Sequence, residues 1–148
     1  MWDLKHFANE EETFVLLNHL MFKHNLFVGC KIEPQEFLAF SKQIQNGYQK
    51  VPYHNKTHAA DVCQTCYYFC IDGGMLEVAQ MDDIDLLSML IGGVIHDYDH
   101  PGLNNPFLKE TTHPLALKYN DQSILENHHV ASTFALAQKQ EFNYMKEM

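Results

Sequence analysis

The sequence predicts an all-α protein. Apolar residues recur at three- and four-residue spacing in one segment after another, and no segment alternates apolar and polar residues as a half-buried strand would. The periodic segments are bounded by proline, glycine, asparagine and aspartate at positions suited to helix ends. A compact multi-helix bundle is the expected architecture, with no repeat, low-complexity tract or linker to divide it.

The first helix is expected over residues 10–24, with Phe14, Leu17 and Met21 on one face. Glu33-Pro34 opens a second, since proline at the first helical position lacks only an N–H that the helix would leave unbonded. Phe37, Phe40 and Ile44 line its inner side, and Gly47 marks its stop. After a loop from Tyr48 to Tyr53, a third helix runs from about Asn55 to Ile71 and ends at Gly73-Gly74. Asp82 or Asp83 caps a fourth, whose Ile84, Leu87, Ile91, Val94 and Ile95 make it apolar nearly all round and suited to burial on most sides. It stops at His96-Asp97-Tyr98-Asp99-His100, before Pro101-Gly102. A short helix is expected over Leu115 to Tyr119, and a last one capped by Asp121 and running to about Gln140. The final residues, Asn143 to Met148, read as part of a helix.

The charge pattern excludes some functions. The chain of 148 residues carries a formal net charge of −9, and its ten basic residues are all lysines. Nucleic-acid readers need a basic face to neutralise phosphates, and an acidic chain without arginine is a poor candidate for that work. Lacking guanidinium forks, a site for a phosphate ester would need positive charge from elsewhere, and a metal ion is the obvious supplier. No segment is long and apolar enough to span a membrane as a helix, and Met1 to His6 has no signal-peptide pattern. Cys30, Cys63, Cys66 and Cys70 suit reduced thiols and a cytoplasmic setting. Cys63-x-x-Cys66-x-x-x-Cys70 lies mid-helix and reads as small buried residues rather than a zinc site; Tyr67-Tyr68-Phe69 beside it reads as core.

Ten histidines are the compositional anomaly, and six of them fall in three groups. His54 and His58 are four apart at a helix start and share a face, a pair that alone reads more readily as two surface histidines. His96, Asp97 and His100 emerge from the most apolar helix. Histidines near a helix C-terminus can satisfy exposed carbonyls, but a carboxylate is unfavourable there, and a bound cation accounts for all three. In Leu125-Glu126-Asn127-His128-His129, polar residues interrupt a face of Ile124, Leu125, Ala131 and Phe134. The group is either a solvated surface or an inward face pairing Glu126 with His129.

Taken together these residues carry a resemblance. Tyr53-His54-Asn55-x-x-His58-Ala59-x-Asp61-Val62 resembles the first metal motif of the class I 3′,5′-cyclic-nucleotide phosphodiesterases. His96-Asp97-x-x-His100-Pro101-Gly102-x-x-Asn105 resembles the family's signature, and Ala116 to His129 its third block. The resemblance implies an HD-type phosphodiesterase fold and hydrolysis of cyclic AMP or cyclic GMP to the 5′-monophosphate. It implies Zn2+ held by His58, His96 and Asp97, and Mg2+, with Mn2+ as an alternative second divalent ion, reached by Asp97. His54 would be the general acid for the leaving 3′ oxygen, oriented by a carboxylate such as Glu126. His100, Asn105, Glu126 and His129 would form the surrounding shell. It also implies that residues 1–148 are the N-terminal, metal-binding part of a longer catalytic domain. That domain's second half would supply a further aspartate ligand and the purine-holding glutamine. Weak activity alone, and self-association through uncovered apolar helix faces, follow as expectations. Two other uses of the same residues stay open: a catalytically inactive helical module that binds a metal or a partner, and a two-histidine, one-carboxylate iron site.

Overall fold

In the computed structural model, which describes residues 11–148, every regular element among the described residues is helical. Helix α1 spans Glu12–Lys23, α2 Leu26–Gly29, α3 Pro34–Gly47, α4 Lys56–Ile71 and α5 Met75–Val78. Helix α6 spans Asp83–Ile95, α7 Asn105–Glu110, α8 Pro114–Lys118 and α9 Ile124–Ala137, with a 3-10 turn at Gln140–Phe142. Residue 10, where the first helix was expected to begin, lies outside the described residues.

Helices α1, α3, α4 and α6 enclose the main core. Leu17, Met21, Phe37, Phe40, Ile44, Cys63, Leu90 and Val94 are buried in it. Phe37 and Phe40 meet Tyr144 at ring-centre distances of 5.2 and 4.7 Å, which folds the chain's last described turns back onto the bundle. Polar groups tie α1 to its neighbours. The Asn18 amide donates to Ser41 Oγ at 2.8 Å, and the Phe14 N–H donates to Gln45 Oε1 at 3.0 Å. Buried Glu12 accepts from the Thr57 hydroxyl at the start of α4. A second, smaller core of Leu108, Ala116, Ile124 and Leu125 belongs to α7, α8 and α9. Helix α9 bridges the two, because its far end places Leu136 and Ala137 in the main core.

Local sequence explains most helix ends. Asn55 caps α4, accepting from the Thr57 and His58 N–H groups. Asp82, not Asp83, caps α6 in a reciprocal capping box with Asp85. Several expectations are corrected. Helices α2 and α7 are too short to display a period; α7 was signalled only by Asn104, whose side chain accepts from the Phe107 N–H, and by Pro106. Helix α6 is not covered all round: Ile84 is 50% exposed at its start. Tyr68 and Phe69 are exposed, since only Tyr67 of that run turns toward α1, where its hydroxyl meets Lys23 Nζ at 2.7 Å. Asp121 does not cap α9. It takes a left-handed backbone (φ 57), and α9 begins at Ile124 after Ser123 without a side-chain cap. That helix ends at Ala137 rather than Gln140, and residues 143–148 form turns rather than helix. Of its expected apolar face, Ala131 and Phe134 are exposed, and the buried face instead includes His128, His129 and Thr133.

The crossing of α4 and α6 is unusually close. A Cβ placed on Gly93 would lie 3.0 Å from the Cys63 Cα and 3.1 Å from its backbone nitrogen, whereas one on Gly92 would meet nothing within 4 Å. Gly93→Val is therefore expected to lower stability by about 1–3 kcal/mol, the ordinary cost of overpacking. Gly92→Ala should leave stability unchanged or raise it by up to about 1 kcal/mol, through better helix propensity. Urea unfolding of the two variants beside the unsubstituted chain checks both.

Candidate metal centre

The site assembles at the end of the α4–α6 crossing. The cap fixes the first turn of α4: Asn55 Oδ1 accepts from the His58 N–H at 3.3 Å, while the Asn55 amide donates to the Val51 carbonyl at 3.0 Å. Where α6 ends, the Tyr48 hydroxyl donates to the Val94 carbonyl at 2.8 Å, holding the terminus that carries His96 and Asp97. Although 38 residues separate them, His58 Nε2 and His96 Nε2 lie 3.2 Å apart. Asp97 Oδ2 is 3.1 Å from His96 Nε2 and 3.4 Å from His58 Nε2.

Hydrogen bonding sets the chemistry of these atoms. His96 Nδ1 faces the Gly93 carbonyl at 2.9 Å; a carbonyl only accepts, so Nδ1 carries a proton and Nε2 is the nitrogen turned toward Asp97 Oδ2. A cation placed between His96 Nε2, Asp97 Oδ2 and His58 Nε2 would take a lone pair from each of the three atoms. Two imidazoles and one carboxylate are a donor set that zinc accepts. Burial, then the neighbouring His96, lowers the pKa of His58, so its ring is available as a neutral donor at pH 7.

A second layer of imidazoles lies behind. His129 is buried, donates Nδ1–H to the Tyr98 carbonyl at 2.6 Å and turns Nε2 to within 3.8 Å of Asp97 Oδ1. Burial likewise lowers its pKa. His100 is 6% exposed, and its Nδ1 accepts from the Gly102 N–H at 2.9 Å. Burial, then the nearby His54, takes its pKa down to about 4. The half-buried His54 ring lies flat on His100, with centres 4.0 Å apart and planes 10° apart. Nitrogen or oxygen atoms of His54, Asp97 and His100 also fall within 4.8 Å of one another, so Asp97 belongs to two ligand groups.

Of the residues singled out in the sequence, His54, His58, His96, Asp97, His100 and His129 are thus brought together. Glu126 and Asn105 form a separate pair at the edge. The Asn105 amide donates to the Glu126 carboxylate at 3.0 Å, and Asn105 Oδ1 accepts from the Leu125 N–H at 3.0 Å. Glu126 is therefore engaged by Asn105 and not, as expected, by His54. A backbone hydrogen bond at Glu126, then that amide, holds its carboxyl below the usual range. Sequence reasoning missed the pairing of Asp99 with His128, joined at 2.9 Å, and the carbonyls of Gly93 and Tyr98 that face two imidazoles. Asp99 was legible as a second acid within the His-Asp-x-x-His run, whereas no side-chain pattern announces a carbonyl.

Comparison with known proteins follows the same motifs. Residues 53–148 match the family described as 3′5′-cyclic nucleotide phosphodiesterase. A human dual specificity calcium/calmodulin-dependent 3′,5′-cyclic nucleotide phosphodiesterase 1B is 37% identical over 145 residues, covering 97% of this chain and 27% of that protein. The 3′,5′-cyclic-AMP phosphodiesterase 4 of Dictyostelium discoideum is 38% identical, covering 95% of this chain and 14% of that one. Among solved structures, the phosphodiesterase domain of the RhoPDE fusion protein from the choanoflagellate Salpingoeca rosetta superimposes with a TM-score of 0.86 at 30% identity. That match covers 99% of this chain and 45% of the solved one. The chain thus spans about a quarter or less of these curated relatives.

The lowered histidines make stability pH-dependent. A histidine with a folded pKa of about 4 and an ordinary unfolded value near 6.5 contributes stability that is fully present above pH 6.5 and is lost as pH falls toward 4. The urea midpoint of the metal-free chain is expected to fall between pH 7 and pH 4.5, and His100→Gln should flatten that fall. An equal fall with and without His100 would assign it to other groups.

Proposed function

The chain belongs to the 3′5′-cyclic nucleotide phosphodiesterase family, and from that premise we propose that residues 1–148 supply the metal-binding part of a site hydrolysing 3′,5′-cyclic nucleotides to 5′-monophosphates. The observation that carries the reading is the convergence of His58 Nε2, His96 Nε2 and Asp97 Oδ2 within 3.1–3.4 Å of one another. These three would hold a first divalent ion, for which zinc fits the donor set. The other oxygen of Asp97 would face a second ion that prefers oxygen ligands, Mg2+ or Mn2+. Bound there, such ions supply Lewis acidity toward the phosphate and an activated water as nucleophile.

The remaining steps belong to side chains. His54 stands beside the ligand group, where an imidazolium can deliver a proton to the departing 3′ oxygen of the ribose. Its stacking on His100 limits rotation of the ring and aims the proton. His129 backs Asp97 through its second oxygen, and Asn105 and Glu126 line the edge with acceptors for water. With no arginine in the chain, the cationic work toward the phosphate rests on ions and on His54. The chain covers 45% of the solved domain it matches. That same share supports a second reading, a helical module that binds a metal or a partner without turnover. Free Cys30, Cys63, Cys66 and Cys70 suit work in the cytoplasm, where such nucleotides act as signals.

The test separates roles. A chimera places this chain in the matching part of the choanoflagellate phosphodiesterase domain and is assayed on cyclic AMP and cyclic GMP. His54→Ala should lower its kcat by roughly a hundredfold or more with metal content unchanged. His58→Ala should lose metal as well as turnover. Equal metal loss in both variants would make His54 a ligand. A chimera that holds metal but hydrolyses neither nucleotide would favour the second reading.

A further inference from the structure

We infer that Asp99 is a positioning residue for the metal centre, acting through the 96–102 loop, with Gln49 and His128 as its two anchors; this rests on the metal-centre reading above. Asp99 lies two residues beyond Asp97, and its backbone is left-handed at φ 57, a conformation less favourable for a residue with a Cβ. Both of its carboxylate oxygens are engaged. Oδ1 accepts from the Gln49 amide at 2.8 Å, on the loop between α3 and α4. Oδ2 accepts from His128 Nε2–H at 2.9 Å, on α9. The other nitrogen of His128 meets Ser132 Oγ at 3.2 Å, one turn further along the helix, which fixes the ring from behind.

The arrangement does more than hold α9. That helix is already anchored at both ends, by Ile124 and Leu125 in the smaller core and by Leu136 and Ala137 in the main one. The 96–102 loop has fewer apolar anchors: Tyr98 is its hydrophobic side chain packed against the main core. Asp99 therefore pins the segment whose flanking residues do the work. On one side are the Asp97 carboxylate and the Tyr98 carbonyl that sets the His129 tautomer. On the other is His100, under the His54 ring. Were the anchors lost, the left-handed residue would relax, the peptide between Tyr98 and Asp99 would rotate, and Asp97 and His129 would lose their alignment together.

The test uses the full chain and Co2+ alone, whose visible absorption bands report ligand geometry. Asp99→Ala should weaken Co2+ binding roughly tenfold or more, as loss of an outer-layer partner does elsewhere, and should alter the bands. Asp99→Asn should recover binding to within about threefold, because its Oδ1 still accepts from Gln49 while its amide donates to the other tautomer of His128. All spectra are taken where circular dichroism shows native helix content. A role in stability alone would lower the melting temperature and leave affinity and bands unchanged, which would overturn the inference. If Asp99→Ala does not fold, Gln49→Leu removes one anchor from an exposed position. A several-fold loss of Co2+ affinity there supports the inference, and unchanged affinity overturns it. No Co2+ binding by the unsubstituted chain would overturn the metal-centre reading and this inference with it, whereas binding unchanged in every variant would overturn this inference alone.

Discussion

The near-contact of α4 and α6 at Cys63 and Gly93 is the constraint on which the site depends. Helices that cross this closely need small residues at the crossing, and α4 presents Ala59, Ala60 and Cys63, all fully buried. His58 stands little more than a turn before Cys63 on one helix, and His96 one turn after Gly93 on the other. Bringing the backbones together at that point delivers two imidazoles from distant parts of the chain to 3.2 Å. Asp97, the first residue beyond His96, then has only to fold back across the helix end to meet both.

Around that triangle the protein places neutral rings and carbonyls rather than opposing charges. The Gly93 carbonyl takes the proton side of His96, the Tyr98 carbonyl that of His129, and the Gly102 N–H occupies Nδ1 of His100. Burial lowers the pKa of His58, His100 and His129, so near neutral pH these rings present lone pairs and N–H groups instead of positive charge. A half-buried carboxylate ringed by imidazoles is a favourable setting for a cation. The two cores meet at the same place. Helix α9 rests its ends in separate clusters and turns His128 and His129 inward between them, which lets a small helical unit serve as the back wall of the site.

Much of this was legible in the sequence, because it depends on neighbours along the chain. Pro34, Asn55 and Asp82 mark helix starts through local geometry and local hydrogen bonds, and Phe37, Phe40 and Ile44 declare an inner face by spacing. The anomaly of Asp97 at a helix end pointed to a cation before any distance was known. Helix class and the main boundaries were therefore determined by the sequence, whereas His58 was joined to His96 and Asp97 by the family resemblance and not by spacing. Tertiary structure decided what local rules leave free. Which side of α9 faces inward depends on what lies opposite, and the answer buries two histidines and exposes Phe134. Whether Glu126 meets His54 or Asn105 is a matter of reach across space, as is the joining of Asp99 to Gln49 and His128. Periodicity gives a helix its stripes, but only the packed partners select which stripe is covered and which polar atoms are left to find one another.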